Sequence, residues 1–281
     1  MEIIYLRGWI RITFLVILAM CLAGGAGQCD ELGSFAGLEG TLDIAGGTAH
    51  IPVIKDAAEK IMGANPKIRI SIAAGGSGVG VQKVGEGLVQ IGNTGRPLTK
   101  EDIEKYGLKS FAFAIDGVAV AVNPKNRVNE LTSDQVKDIF AGKITNWKEV
   151  GGDDAGIHVI TRDEASGTRE VFWEKLLQKG PVVGRANVVP SNGAMKVALS
   201  QDPLAIGYLS VGHVDSTVKA IKLDGVDPTQ ENATNGTYKV TRKLYMNTKG
   251  EPSPLAKAVI KYILGWVGQE IVKKHGYIPS R

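Results

Sequence analysis

Residues 67–88 read KIRISIAAGGSGVGVQKVGEGL, and a change of period inside this stretch decides the fold. From 67 to 73 apolar and polar residues alternate, the two-residue period of a strand. From 78 to 88 the apolar residues fall at helical spacing. Between them lies GGSGVG (75–80), small residues that let a strand turn directly into a helix.

The same order recurs on both sides. A strand over 41–45 runs through GGTA (46–49) into a helix over 51–62, with Pro52 in its first turn, where an N–H is dispensable. A short strand over 90–93 runs into NTGRP (93–97). Strands over 111–114 and 118–123 flank Asp116-Gly117. A helix over 133–141 is capped by Thr132 or Ser133. A strand over 158–161 leads through RDEASGTR (162–169) into a helix over 168–178. A helix over 191–200, capped by Ser191 or Asn192, precedes a strand over 205–209. Residues 224–237 read as a surface loop, 244–247 as a strand and 254–275 as one long amphipathic helix. Such alternation predicts an α/β fold with mainly parallel sheets covered by helices on both faces. The chain length suits two such blocks.

The first thirty residues follow another pattern. Arg7 and Arg11 precede an apolar run over 12–22, and small residues follow. This is the basic, apolar, small order of an export signal, assigned to 1–29. The run is short for a membrane-spanning helix. Both cysteines, Cys21 and Cys29, lie in or beside it, so the exported domain has no disulfide. Cys29 is a candidate lipid-anchor site, and residues 30–39 read as a linker. The net charge of +4 is spread without a dense Lys/Arg block, which argues against nucleic acid as a partner.

Function is suggested by four clusters, Gly46 to Ala49, Gly75 to Gly80, Asn93 to Pro97 and Arg162 to Arg169, of which the third follows a strand and the others lead into helices. A helix N-terminus offers free N–H groups and a partial positive charge. Glycine admits close approach of an anion, and Ser or Thr adds a hydroxyl. One such cluster is an ordinary helix cap. Four together suggest a single tetrahedral oxyanion held by neutral donors. Enzyme signatures do not fit: there is no G-x-x-x-x-G-K-[ST] loop, and Ser166 is not in a G-x-S-x-G elbow. His50, His158, His213 and His275 lack metal-ligand spacing. No cofactor, metal or catalytic residue is expected.

The stretches AGGTAHIP (45–52), AGGSGVG (74–80), IGNTGRPL (91–98), LTSDQVKDIFAGKITNW (131–147) and TRDEASGTR (161–169) resemble the phosphate-binding component of Pst-type ABC importers, in its shorter form. The resemblance runs from about residue 40 to the C-terminus. It implies a type II periplasmic-binding-protein-like fold, with two α/β lobes joined by two strands and closing like a jaw. It assigns 40–115 and 246–281 to the first lobe and 116–245 to the second. By motif match, the ligands would be Thr48, Ala49 and Ser77 from one lobe and Arg162, Ser166, Gly167 and Thr168 from the other. Gly47, Gly76, Gly78, Gly95, Arg96, Glu164 and Arg169 are further candidates. Longer relatives carry an Asp at the position of Gly95, which accepts the proton that phosphate keeps and sulfate lacks. Asp116 is the expected substitute here. The implied role is extracytoplasmic capture of inorganic phosphate by a monomer, for delivery to a membrane permease. Sulfate, molybdate or tungstate binding, a sensor role, and a phosphate-ester hydrolase with Ser166 as nucleophile are the competing readings.

Overall fold

A computed structural model describes residues 31–280. The residues expected to form an export signal, and Cys29, lie outside the described residues. Twelve strands and nine helices are named here in chain order.

The first lobe begins with β1 (Gly40–Gly46), a short 3₁₀ turn (Thr48–His50) and α1 (Ile51–Ala64). β2 (Ile68–Ala74), α2 (Gly76–Gly85) and β3 (Ile91–Thr94) follow. α3 (Lys100–Tyr106) is closed by a reciprocal cap between Thr99 and Asp102. None of its residues is buried, so it has no apolar stripe by which the sequence could reveal it.

β4 (Leu108–Val122) is one continuous strand through Asp116-Gly117 rather than two. The second lobe holds β5 (Glu130–Leu131), α4 (Ser133–Phe140), β6 (His158–Arg162), α5 (Gly167–Lys175) and β7 (Asn187–Val189). It continues with α6 (Asn192–Gln201), β8 (Ala205–Ser210), β9 (Lys219–Ala220) and β10 (Lys222–Leu223). Thr132 caps α4 and Ser191 caps α6. The expected loop over 224–237 contains a helical turn, α7 (Gln230–Thr234), capped by Thr229.

β11 (Thr241–Lys249) returns to the first lobe, where α8 (Pro254–Leu264), α9 (Trp266–Lys274) and β12 (Ile278–Pro279) pack. The expected single helix over 254–275 is therefore two. Gly265 is extended between them, and the Glu31 carboxylate accepts the N–H groups of Trp266 and Val267 at 2.8 and 3.2 Å, capping α9. Phe35 is fully buried against Tyr262. Residues 31–39 thus pack onto the first lobe rather than forming a free linker.

The main sheet has the order β2-β1-β3-β11-β4-β8-β6-β7. β1 pairs in parallel with β2 and β3, and β6 with β7 and β8. β11 is antiparallel to β3 and β4, and β4 to β8. Two apolar cores result, one holding Ile44, Phe113 and Leu244, the other Val118, Phe140 and Tyr208. β4 and β11 pass between the cores as a two-strand hinge. Ala114 lies in the first core and Val118 in the second. Leu244 already belongs to the first core, two residues ahead of the expected return at 246.

Parallel strands put their C-terminal ends, and the helix N-termini after them, at one edge. At that edge α2 lies on β1 and β3. A Cβ at Gly80 would fall 2.5 Å from the Asn93 carbonyl oxygen and 3.1 Å from Gly46 Cα, both backbone atoms. Gly80→Ala is therefore expected to destabilise the protein by about 3 kcal/mol, the upper part of the overpacking range. A urea midpoint equal to the wild type's would show that α2 does not sit this close.

Candidate functional site

At that edge lies a cavity of about 10 Å³, walled by both lobes. That is room for about one small group, far below the roughly 300–1,000 Å³ of sites for drug-sized molecules.

The first lobe supplies Gly47, Thr48, Ala49, Gly76, Ser77 and Gly95. Thr48 Oγ1 accepts the backbone N–H and the side-chain amide of Asn192 at 3.1 and 3.0 Å. Both lone pairs are thereby engaged, which leaves its O–H to donate. Ser77 Oγ accepts the Gly95 N–H at 2.9 Å. Thr48, Ala49 and Ser77 stand in first helical turns, whose N–H groups have no intrahelical acceptor.

The second lobe supplies Arg162, Ser166, Gly167 and Thr168. Ser166 caps α5, its Oγ accepting the Arg169 N–H at 3.1 Å. Arg162 is 2% exposed. Its Nε and Nη2 donate to the carbonyls of Val189 and Pro190 at 3.1 and 3.0 Å. Its Nη1 is buried without a partner. Burial lowers the Arg162 pKa. An unpaired buried guanidinium nitrogen is costly and marks where an acceptor belongs.

The lobes touch around this cavity. Gly78 N–H donates to the Ala165 carbonyl at 3.1 Å, so Gly78 serves the lobe contact rather than the wall. A Cβ at Gly76 would lie 2.6 Å from that carbonyl oxygen, and one at Gly167 would lie 2.2 Å from Ser77 Oγ. The positive ends of α2 and α5 thus face each other, an arrangement that an anion between them relieves.

Besides Gly78, four expected residues lie elsewhere. Arg96 ion-pairs with Asp102 at 2.9 Å and Glu170 at 3.1 Å, bridging the lobes outside the cavity. Arg169 is half-buried off the wall, and Glu164 is exposed. Asp116 is fully buried behind the wall. Its Oδ2 accepts Arg242 Nε and Nη2 at 2.9 and 2.8 Å, and its Oδ1 accepts the Ser210 hydroxyl at 2.8 Å. Burial pushes its pKa up, while Arg242 pulls the other way. With both oxygens engaged and no place on the wall, Asp116 is not the expected proton acceptor.

Two wall residues were not among the expected ligands, Arg242 and His50. His50 is fully buried, and its Nε2 lies 3.1 Å from the Tyr245 carbonyl. Burial, and then Arg242, lower its pKa to about 3. The ring is therefore neutral at physiological pH, and Nε2–H donates to that carbonyl. A histidine in the unfolded chain titrates near 6.5. Stability from the neutral ring is complete above about pH 6.5 and is lost as pH falls toward 3, because the unfolded chain takes up the proton first. Between about pH 7 and pH 4 the wild type should lose about 3 kcal/mol more than His50→Leu. Equal losses in urea denaturation at the two pH values would contradict this.

Among the described residues no group of three or more His, Cys, Asp or Glu is arranged for a metal, and no helix is long and apolar enough to cross a membrane.

A family model for the PBP superfamily domain matches residues 35–265. The chain is 38% identical over 273 residues to the phosphate-binding protein PstS of Bacillus subtilis, covering 95% of this chain and 91% of that protein. It is 30% identical to PstS of Pseudomonas aeruginosa, covering 87% and 84%. A phosphate ABC transporter substrate-binding protein from Clostridium perfringens, solved with bound phosphate, superposes with a TM-score of 0.81 at 37% identity, over 86% of this chain and all of that one. An ABC-type phosphate transport receptor from Vibrio cholerae gives 0.67 at 33% identity, over 84% and 99%.

Proposed function

We propose that this chain, which belongs to the PBP superfamily and within it to the PstS family of phosphate-binding proteins, captures inorganic phosphate between its lobes and delivers it to the permease of an ABC importer. The observation that carries the reading is the unpaired, buried Nη1 of Arg162 at a small cavity where helix N-termini from both lobes converge.

The parts act together as follows. Thr48, Ala49 and Ser77 hold the ion on the first lobe through hydroxyls and first-turn N–H groups. Closure brings Arg162, Ser166, Gly167 and Thr168 onto its other side. Excluding water strengthens each donor, because the local dielectric falls. The Asn192–Thr48 and Gly78–Ala165 bonds latch the closed state. Opening at the hinge strands breaks these contacts together and frees the ion. No step makes or breaks a covalent bond, and among the described residues the hydrogen bond of the Ser166 hydroxyl is the one it accepts from the Arg169 N–H. The reading includes export, supported by the order of residues at 1–29, with Cys29 as an anchor site. It also includes action as a monomer.

Calorimetric titration with inorganic phosphate tests it. One ion per chain should bind, and saturating phosphate should raise the melting temperature. No heat and no shift would refute the reading. The absence of a carboxylate on the cavity wall favours one second reading, in which fully deprotonated sulfate is also accepted. Competition by sulfate against phosphate measures it.

A further inference from the structure

Arg242 has a use that its ion pair does not exhaust. It stands in β11 opposite Asp116 of β4, 7% exposed. Nε and Nη2 hold Asp116, and Nη2 also reaches Thr168 Oγ1 at 2.9 Å. These bonds fix the plane and direction of the guanidinium. Among the described residues no protein group accepts a bond from Nη1. That nitrogen is turned to Gly95, where a Cβ would lie 2.6 Å from it. Gly95 and Arg242 both belong to the cavity wall. Because residue 95 has no side chain, nothing fills the space in front of Nη1.

We propose that Arg242 is a second cationic ligand of the bound ion, donating from Nη1 opposite the opening left by Gly95, and that it makes the site prefer the doubly charged anion. This deepens the phosphate reading above and rests on it. The wall presents two guanidinium groups and no carboxylate, so an ion of charge −2 gains about twice the Coulomb attraction of an ion of charge −1. Phosphate crosses between these forms near neutral pH.

The groups facing Arg242 do not imitate that change. Burial pushes the pKa of Asp116 on β4 up against the pull of Arg242 and lowers that of Arg162 on β6; loss of a proton from either with rising pH makes the site less positive, which opposes the predicted trend. His50 and His213, with pKa values lowered to about 3 and about 4, stay neutral. Burial raises the pKa of Glu170 on α5. Its deprotonation with rising pH adds negative charge, which opposes the predicted trend.

The test is calorimetric titration with inorganic phosphate at about pH 5.5 and pH 8, on the wild type and on the double variant Asp116→Asn/Arg242→Gln. The double variant removes both charges of the pair and keeps the net charge, so it reads the contact rather than the overall field. Wild-type affinity should rise about tenfold from the lower to the higher pH. The double variant should bind about a hundredfold more weakly at pH 8 and lose most of that rise. Affinity within about threefold of wild type, or wild-type affinity that stays flat or falls with pH, would overturn the assignment. If circular dichroism shows the double variant unfolded, Arg242→Lys replaces it. That variant keeps the charge but cannot hold Asp116 and the ion together, and unchanged affinity there would also overturn the assignment. A wild type that binds no phosphate at either pH would instead refute the functional reading.

Discussion

Arg162→Gln is expected to weaken phosphate binding about a thousandfold, close to 4 kcal/mol. Two of the three guanidinium nitrogens are anchored on the carbonyls of Val189 and Pro190, which leaves Nη1 aimed at the cavity without an acceptor. The bond it makes to a bound anion is charge-assisted and shielded from water, the setting in which such bonds are strongest. Glutamine is uncharged and shorter, so it can serve one of the carbonyls but not the ion. The expected loss of stability is much smaller, about 1–2 kcal/mol, since one structural hydrogen bond goes unmade. Calorimetry reads the affinity. Melting with and without phosphate separates the effects: the wild type should be stabilised by the ligand, and the variant hardly at all. A variant that binds within tenfold of wild type would remove Arg162 from the site.

Asp116→Ala is expected to destabilise the phosphate-free protein by about 3–5 kcal/mol, because it leaves the Arg242 guanidinium buried without its counter-ion. The pair sits where β4 and β11 cross from one core to the other, and neither partner has water to fall back on: the side chains are 0% and 3% exposed. Asp116→Asn/Arg242→Gln should cost clearly less than the single change, since it removes both charges together and leaves none uncompensated. Urea midpoints of the two variants, measured without phosphate, check the order. The opposite order would mean that Asp116 does not serve to neutralise Arg242. The expected role of Asp116 as the ligand's proton acceptor predicts a different pattern, an altered affinity with little change in stability.

The residues that could be read from the sequence share one physical property: their role is local. Thr48, Ser77 and Ser166 to Thr168 each follow a strand and open a helix, so the donor groups and the turn that aims them lie within a few residues. Arg242 and His50 could not be read this way. Arg242 meets Asp116 across 126 positions of chain, and His50 meets the Tyr245 carbonyl across 195. No motif surrounds Arg242, whose place on the wall comes from the pairing of β11 with β4; His50 lies within AGGTAHIP, but nothing local shows that it meets β11. Asp116 was legible as an acid beside a glycine between two apolar strands. Its role was not, since that depends on the residue opposite it in β11.

The same distinction governs the fold. β4 is apolar almost throughout, and its continuity through Asp116-Gly117 follows from pairing with β11 and β8 on its two sides. α3 has no fully buried residue and gave no periodic signal. The break between α8 and α9 leaves the apolar period nearly undisturbed. It depends on Gly265 and on Glu31, a capping carboxylate more than two hundred residues away.

A crystal structure of the protein grown with inorganic phosphate tests the central claim most directly. A tetrahedral ion should lie between the lobes, within hydrogen-bond distance of Thr48, Ser77, Ser166 and Thr168 and of the Nη1 atoms of Arg162 and Arg242. Density for the ion at any other place, or a saturated crystal whose lobes close on nothing at these residues, would contradict the account.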